Sequence, residues 1–328
     1  MIPYLQIIRW KNLVFLALIQ WLMQFTVVLP LLQTFGFEIP KNNFLFWLLL
    51  LSTLLMTAGG YVINDYFDVK IDRINKPEKV IVGDAISTKS AMLFYQILTA
   101  TGTIIGLVVA FLAKSFTLGF IFVVTPGLLW FYSTSYKRQF LIGNLTVSLL
   151  ASLSIFIVAI LAVAQQKTAY GALLSETPIP STIYSWVGGF ASFSFLLTWI
   201  REIIKDMEDI HGDSEMECRT MPIKWGLSKT KLFLYALISL TIILLLYVVL
   251  EHINFEGNFT FRYLLFGLLL PLISLAIIIY QANKKEDFHK ASTFSKFIML
   301  IGVLYSLVFY YLLAKKFGIS LFGLFIIK

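Results

Sequence analysis

Apolar residues run along this chain in long stretches near 13–35, 44–63, 91–113, 116–133, 142–164, 182–200, 232–250, 263–281 and 297–313, parted by short polar segments. Coiled as a helix at about 1.5 Å per residue, stretches of this kind reach across a hydrocarbon core of about 30 Å. A lipid-facing segment must satisfy its own backbone N–H and C=O groups, so the pattern predicts spanning helices and not an open sheet. The expectation is an all-α, polytopic membrane protein: a nine-helix transmembrane bundle forming a single membrane domain over residues 1–328. Arg9 and Lys11 precede the first stretch as in a secretory signal. Its length, the lack of a small-residue cleavage site and the eight stretches that follow predict a retained helix. Gly318 to Ile327 is apolar but too short to span, and is expected in the interface or packed on the bundle.

Composition agrees with the pattern. Of 328 residues, 59% are apolar and 13% charged, too little polar side chain to coat a water-soluble fold of this size. The single cysteine, Cys218, excludes an intrachain disulfide. His211, His252 and His289 fall in different segments, which argues against a histidine- or thiolate-based metal site; His252 and His289 are expected to be loop residues without a role. Cys218 is expected to be an incidental thiol.

Nine spans divide the connections between two sides. The side holding the N-terminus and the loops after the even-numbered spans carries 19 of the 26 Lys and Arg, so the positive-inside bias predicts that it is cytoplasmic. The net charge of +8 is then mostly a topology signal, with membrane lipids as natural neighbours and nothing that calls for nucleic acid.

The acids are less evenly spread. Five of 18 lie between Asp65 and Asp84 and seven between Glu202 and Glu217, so twelve fall in two cytoplasmic Asp-rich segments, 64–84 and 201–217, each capping an apolar helix. If span two continues as a helix, Asn64, Asp68 and Asp72 project at about 0°, 40° and 80°, and Asp65 at about 100°, onto one face. In the second segment, read as helix, Glu202, Asp206, Asp209 and Asp213 share an arc of about 60°, and Glu208 points to the opposite side.

Carboxylates crowded on one face repel unless cations intervene. Hard oxygen ligands in this number suit Mg²⁺, and two such faces opposed could hold a diphosphate through bridging metals. Arg73, Lys76 and Lys79 follow the first segment, and Tyr132 to Arg138, with Lys137 and Arg138, closes span four on the same side. These cations fit a polyanionic ligand. Gly59 and Gly60, just before the first segment, are expected to allow close helix packing.

At these residues the chain resembles the UbiA superfamily of intramembrane prenyltransferases. The resemblance spans essentially the whole chain: Asn64-Asp65-x-x-Asp68-x-x-x-Asp72 after the second helix, a second Asp-rich motif after the sixth, and Tyr132-x-x-x-Tyr136-Lys137 after the fourth. It implies a helical bundle with a lipid-open central cavity capped by the Asp-rich segments, and Mg²⁺-dependent transfer of an isoprenyl group from its diphosphate to an acceptor. By position it makes Asn64, Asp68, Asp72, Asp206, Asp209 and Asp213 the metal-ligand candidates. Asp68, Asp72, Asp209, Asp213 and Lys137 are the expected catalytic group. Asn64, Asp65, Arg73, Lys76, Lys79, Tyr136 and Arg138 are expected on the diphosphate side.

Within the superfamily, the residues from Asn64 to Pro77 and from Arg201 to Ile223 look most like the geranylgeranylglycerol-phosphate geranylgeranyltransferases and chlorophyll-synthase-like relatives. Lys79-Val80-Ile81-Val82-Gly83 stands where those relatives carry an Arg-Pro-Ile-Pro-Ser-Gly-like run, so Lys79 is expected to replace the arginine. A long isoprenyl donor with a lipid-like acceptor, a glycerol phosphate ether, is the expected chemistry, with an aromatic acceptor as the alternative. Asn12, Ser133, Thr134 and Tyr136 are the expected acceptor-side neighbours.

Two other classes compete. A divalent-cation transporter would carry ionisable or helix-breaking residues at midplane, whereas the acids here are peripheral and only Pro126 and Pro271 fall deep in spans. A non-catalytic scaffold has no need of two matched acidic faces.

Overall fold

The computed structural model describes residues 2–39, 43–253, 255 and 257–326, with the side chains of Lys79 and Phe325 outside the description. Nine helices among the described residues are long and apolar enough to cross a membrane. They are span one (Trp10–Thr34), two (Phe44–Asn75), three (Thr88–Leu112), four (Phe116–Thr134), five (Ile142–Glu176, closed by a 3-10 turn), six (Ile179–Glu208), seven (Met221–His252), eight (Phe259–Gln281) and nine (Lys285–Phe317). Neighbours in sequence pack as neighbours in space, two on three and five on six above all, and span nine returns to pack along span six.

Several helices outrun their apolar stretches. Span two has 32 residues, about 48 Å at 1.5 Å per residue, so its last turns continue beyond a hydrocarbon core of about 30 Å. Those turns are the ones that carry Asn64 to Asp72. Helical hydrogen bonds are as available to polar residues as to apolar ones, so a helix need not stop where its hydrophobicity does.

Prolines leave a local mark. Spans one and eight each contain a π-helical turn, Met23–Val28 and Leu265–Leu269, immediately before Pro30 and Pro271. A proline removes an N–H and crowds the carbonyl four residues back, and a widened turn accommodates both.

The core lies in two main clusters. One gathers side chains of spans one to six and nine around Met23, Phe46, Leu161 and Phe309; the other joins spans six to nine around Ile200, Leu234, Leu275 and Ile298. Gly59 and Gly60 serve packing: a β-carbon on Gly59 would lie 2.4 Å from Thr99 Oγ1 of span three, and one on Gly60 2.9 Å from Leu129 of span four. The tail after span nine forms a two-stranded hairpin, Ser320–Leu321 with Phe325–Ile326, and the Phe322 ring packs on Trp21 and Tyr310.

Candidate active site

Both acidic segments open on one cavity of about 1260 Å³ bounded by spans one, two, four, five, six and nine. The first segment is helical to Asn75, so the predicted face holds: Asn64, Asp65, Asp68 and Asp72 all line the cavity. Asn64 Nδ2 donates to Asp68 Oδ2 at 2.7 Å one turn on. The second segment departs from a continuous helix. Span six ends at Glu208, Asp209 leaves the helix (φ −99°, ψ 8°), and a short helix, Ile210–Glu215, begins after it. Asp206, Asp209 and Asp213 nonetheless all face the cavity.

The two segments are latched to each other. Lys76 Nζ bonds Asp209 Oδ2 at 2.7 Å, Asn75 Nδ2 donates to the Asp209 carbonyl at 3.3 Å, and Asn75 Oδ1 accepts the Gly212 N–H at 3.0 Å. Gly212 permits the approach, since a β-carbon there would sit 2.5 Å from the Asn75 amide. Lys285, at the start of span nine, donates to the Asn75 carbonyl, and His289 Nδ1 pairs with Glu208 Oε1 at 3.0 Å. Glu208 is therefore not on a solvent face opposite the acids, as helical arithmetic placed it: it is buried and lines the cavity. His289 is likewise not a loop residue without a partner; it sits in the opening turns of span nine.

Cations cover several of the carboxylates. Lys137 Nζ is paired with Asp68 Oδ1, and Arg9 bonds Asp65 at 2.8 Å while its guanidinium lies 4.9 Å from the Tyr61 ring centre. Arg9 reaches Asp65 because its backbone is left-handed (φ 51°, ψ 53°), bending the chain between the short helix Ile2–Ile7 and span one. Burial pulls the Arg9 pKa down, but Asp65, Tyr61 and Asp72 together outweigh it and the net shift is upward. Asp206 is turned to Asn144 Nδ2 of span five at 2.9 Å. Burial, with Asp209 beside it, pushes Asp213 up to about 6. Burial and then Arg138 draw Lys137 below the ordinary lysine range, against the pull of Asp213 and Asp65.

The donor set fits a divalent ion. Oxygen ligands approach from both sides of one cavity, and Asp209 Oδ1 is buried there without a hydrogen-bond partner. Among the described residues no three carboxyl groups are close enough together to enclose an ion by themselves. Lys76, Lys137 and Arg9 neutralise the acids instead, and the two lysines sit on flexible stems able to turn to a phosphate.

Not every predicted residue is brought to the site. Arg138 and Lys76 line the cavity, but Arg73 turns outward to an exposed pair with Asp84 at 3.3 Å, and Tyr136 stacks on Phe131 away from it. The Lys79 side chain lies outside the described residues. Of the acceptor-side candidates, Asn12 lines the cavity, donating to Tyr61 at 3.4 Å. Ser133 and Thr134 bond back to the carbonyls of Leu129 and Trp130 in their own helix, and Tyr132 takes the place on the cavity wall. Cys218 is buried, and burial with nearby Asp213 raises its pKa, which suits an inert thiol. Sequence reasoning missed Arg9, Asn144, Lys285 and His289. Arg9 carried only a topology signal, and the others meet the two acidic segments across more than 60 residues of chain, Asn144 and His289 at acids and Lys285 at the Asn75 carbonyl, with no local spacing to mark them.

Comparison with known proteins agrees with this geometry. The chain is 30% identical over 307 residues to the digeranylgeranylglyceryl phosphate synthase of Methanosphaera stadtmanae, covering 92% of this chain and 96% of the relative. A solved structure of digeranylgeranylglyceryl phosphate synthase superposes with a TM-score of 0.61 at 26% identity, over 94% of this chain and 97% of that one. A UbiA homologue from Archaeoglobus fulgidus, bound to DMAPP and Mg²⁺, shares the fold with a TM-score of 0.53 at 19% identity, over 92% of this chain and 97% of that one. A model of the UbiA prenyltransferase family matches residues 22–301, and with the two acid segments meeting over one intramembrane cavity the chain belongs to that family.

Proposed function

We propose that this prenyltransferase moves a long isoprenyl group, geranylgeranyl or longer, from its diphosphate to the free hydroxyl of a glycerol phosphate ether lipid, releasing diphosphate. The observation that carries the reading is the Lys76–Asp209 latch, which joins the two acid segments at the head of a single cavity. The relatives named above, digeranylgeranylglyceryl phosphate synthases over nearly their full length, supply the acceptor class.

The site residues divide the work. Asp68, Asp72, Asp206, Asp209 and Asp213, with the Asn64 amide oxygen, would hold Mg²⁺ at the head of the cavity. Mg²⁺ bound there supplies Lewis-acid neutralisation of the charge that grows on the departing diphosphate. Lys76, Lys137 and Arg138 add direct charge to the same oxygens, donating hydrogen bonds that strengthen as the allylic C–O bond breaks. Arg9, pinned between Asp65 and Tyr61, fixes the entry of span one against the first segment. Below the acids the wall turns apolar with Phe15, Ile19, Met56 and Phe122, a lining that takes the isoprenyl chain and keeps water from the allylic cation. Tyr61 and Tyr132 bring aromatic faces to the same cavity. Cytoplasmic placement of both segments follows from the 19-to-7 distribution of basic residues.

Purified protein supplied with geranylgeranyl diphosphate, Mg²⁺ and either geranylgeranylglyceryl phosphate or an aromatic carboxylate tests the assignment by mass analysis of the lipid product. The expected product is the doubly prenylated glycerol phosphate. A higher kcat/KM for the aromatic acceptor would replace this reading with the alternative one.

A further inference from the structure

A second set of cations lines the same cavity, on span six before Asp209 and on span nine. Arg201 and Lys205 project from span six one turn apart, and Lys296 from span nine, which packs against it; all three line the cavity. Arg201 lies eight residues before Asp209, about 12 Å nearer the membrane at 1.5 Å per residue. Glu202 is bonded by both neighbours, by Arg201 at 2.7 Å and by Lys205 at 2.8 Å, while Asp206 is engaged by Asn144. Asn144 is neutral and leaves the Asp206 charge in place, so three cations face two carboxylates and leave an excess of one positive charge.

The set also has donors to spare. Arg201 Nε is buried without a hydrogen-bond partner, and Lys296, whose side chain is exposed, has neither a hydrogen bond nor an ion pair among the described residues. One turn below Arg201, the Thr198 hydroxyl is buried, faces the cavity and is unpartnered. Other helical threonines of this chain, Thr26, Thr53, Thr125 and Thr241, return their hydroxyls to the carbonyl four residues back. Two buried donors without acceptors are costly, and together with the unpaired Lys296 ammonium beside them the arrangement is explained by an anion that arrives with a ligand.

We infer that Arg201, Lys205 and Lys296, with the Thr198 hydroxyl, form a subsite for the phosphate monoester of the lipid acceptor, distinct from the Lys76 and Lys137 group at the acid segments. The inference rests on the function proposed above and names what selects its acceptor. A phosphate monoester carries about −1.5 to −2 charges at neutral pH and gains more from three converging cations than the phosphodiester of a bilayer phospholipid, which carries one. The position suits an acceptor that enters from the bilayer: its headgroup is held on the membrane side of the acids, and its hydroxyl is left free toward the donor.

The test measures KM for each substrate in detergent without phospholipid, and direct binding of the acceptor without donor or Mg²⁺. Lys296→Ala should raise the acceptor KM and Kd about ten- to hundredfold, as expected for one charge-assisted hydrogen bond, and leave the donor KM within about twofold. Lys296→Arg should recover most of the loss, and the dephosphorylated acceptor should bind wild type and Lys296→Ala equally. An unchanged acceptor KM in Lys296→Ala, or an equal rise for the donor, overturns the subsite and leaves the proposed function standing. A loss that appears only when phosphatidylglycerol is added overturns it in favour of a bilayer headgroup site. Failure of the wild type to use the phosphorylated acceptor at all overturns the function, and the subsite with it.

Discussion

Asp209 and Glu208 are adjacent acids that do different work. Asp209 lies where span six breaks, held by Lys76 and with one carboxylate oxygen unpartnered in the cavity. Asp209→Asn removes a candidate ligand charge and should lower turnover at least about 100-fold. Glu208 is buried against His289, so it positions the end of span six through span nine. Glu208→Ala should cost about tenfold in turnover and raise the Mg²⁺ concentration needed for half-maximal rate, the scale of an outer-shell contact. Glu208→Gln keeps an oxygen that accepts from His289 Nδ1 and should retain more activity than the alanine. Wild-type Mg²⁺ dependence in Glu208→Ala would show that the pair does not support the ligands. The helical arithmetic that placed Glu208 outside succeeded at Asn64 to Asp72, where the backbone stays helical, and failed here because Glu208 also meets a helix 81 residues away.

Between elements, the junction of Asn75 with Gly212 is the tightest constraint on the site. Each acidic segment was legible in the sequence as an acid face after an apolar helix, because helical spacing is a local property. That the two faces meet, and that Lys76 and Lys137 rather than a third acid sit on Asp209 and Asp68, depends on contacts spanning 133 and 69 residues, which periodicity does not encode. Gly212→Ala tests the junction. Its new methyl would lie 2.5 Å from the Asn75 side chain, which is held from both sides by its own bonds to Asp209 and Gly212. The overpacking should destabilise the protein by about 1–3 kcal/mol and separate Lys76 from Asp209. Thermal unfolding in detergent should show the loss, and turnover should fall more than in Arg73→Ala, whose exposed pair with Asp84 lies off the cavity. Equal turnover in the two variants would mean that the segments need not be latched for catalysis.

Across the whole molecule, span count and charge asymmetry predict an orientation that can be checked without any substrate. The cavity head holds both acid segments, so they must face the same compartment whichever it is, and the excess of basic residues on their side predicts that it is the cytoplasm. With Cys218 replaced by serine, single cysteines at Glu78 and Ser214, both exposed, report the two segments, and one at Lys114, exposed in the turn between spans three and four, reports the opposite side. An impermeant thiol reagent applied to intact cells should label position 114 and spare 78 and 214, and after lysis all three should react. Cys218 itself is buried, so its replacement removes background without touching a predicted ligand. Labelling of 78 and 214 from outside would invert the topology and require the diphosphate donor to be delivered from the far side of the membrane. Labelling of only one of the two would be the more serious result, because the Lys76–Asp209 bond could then not exist in the folded protein, and the site built on it would fail with it.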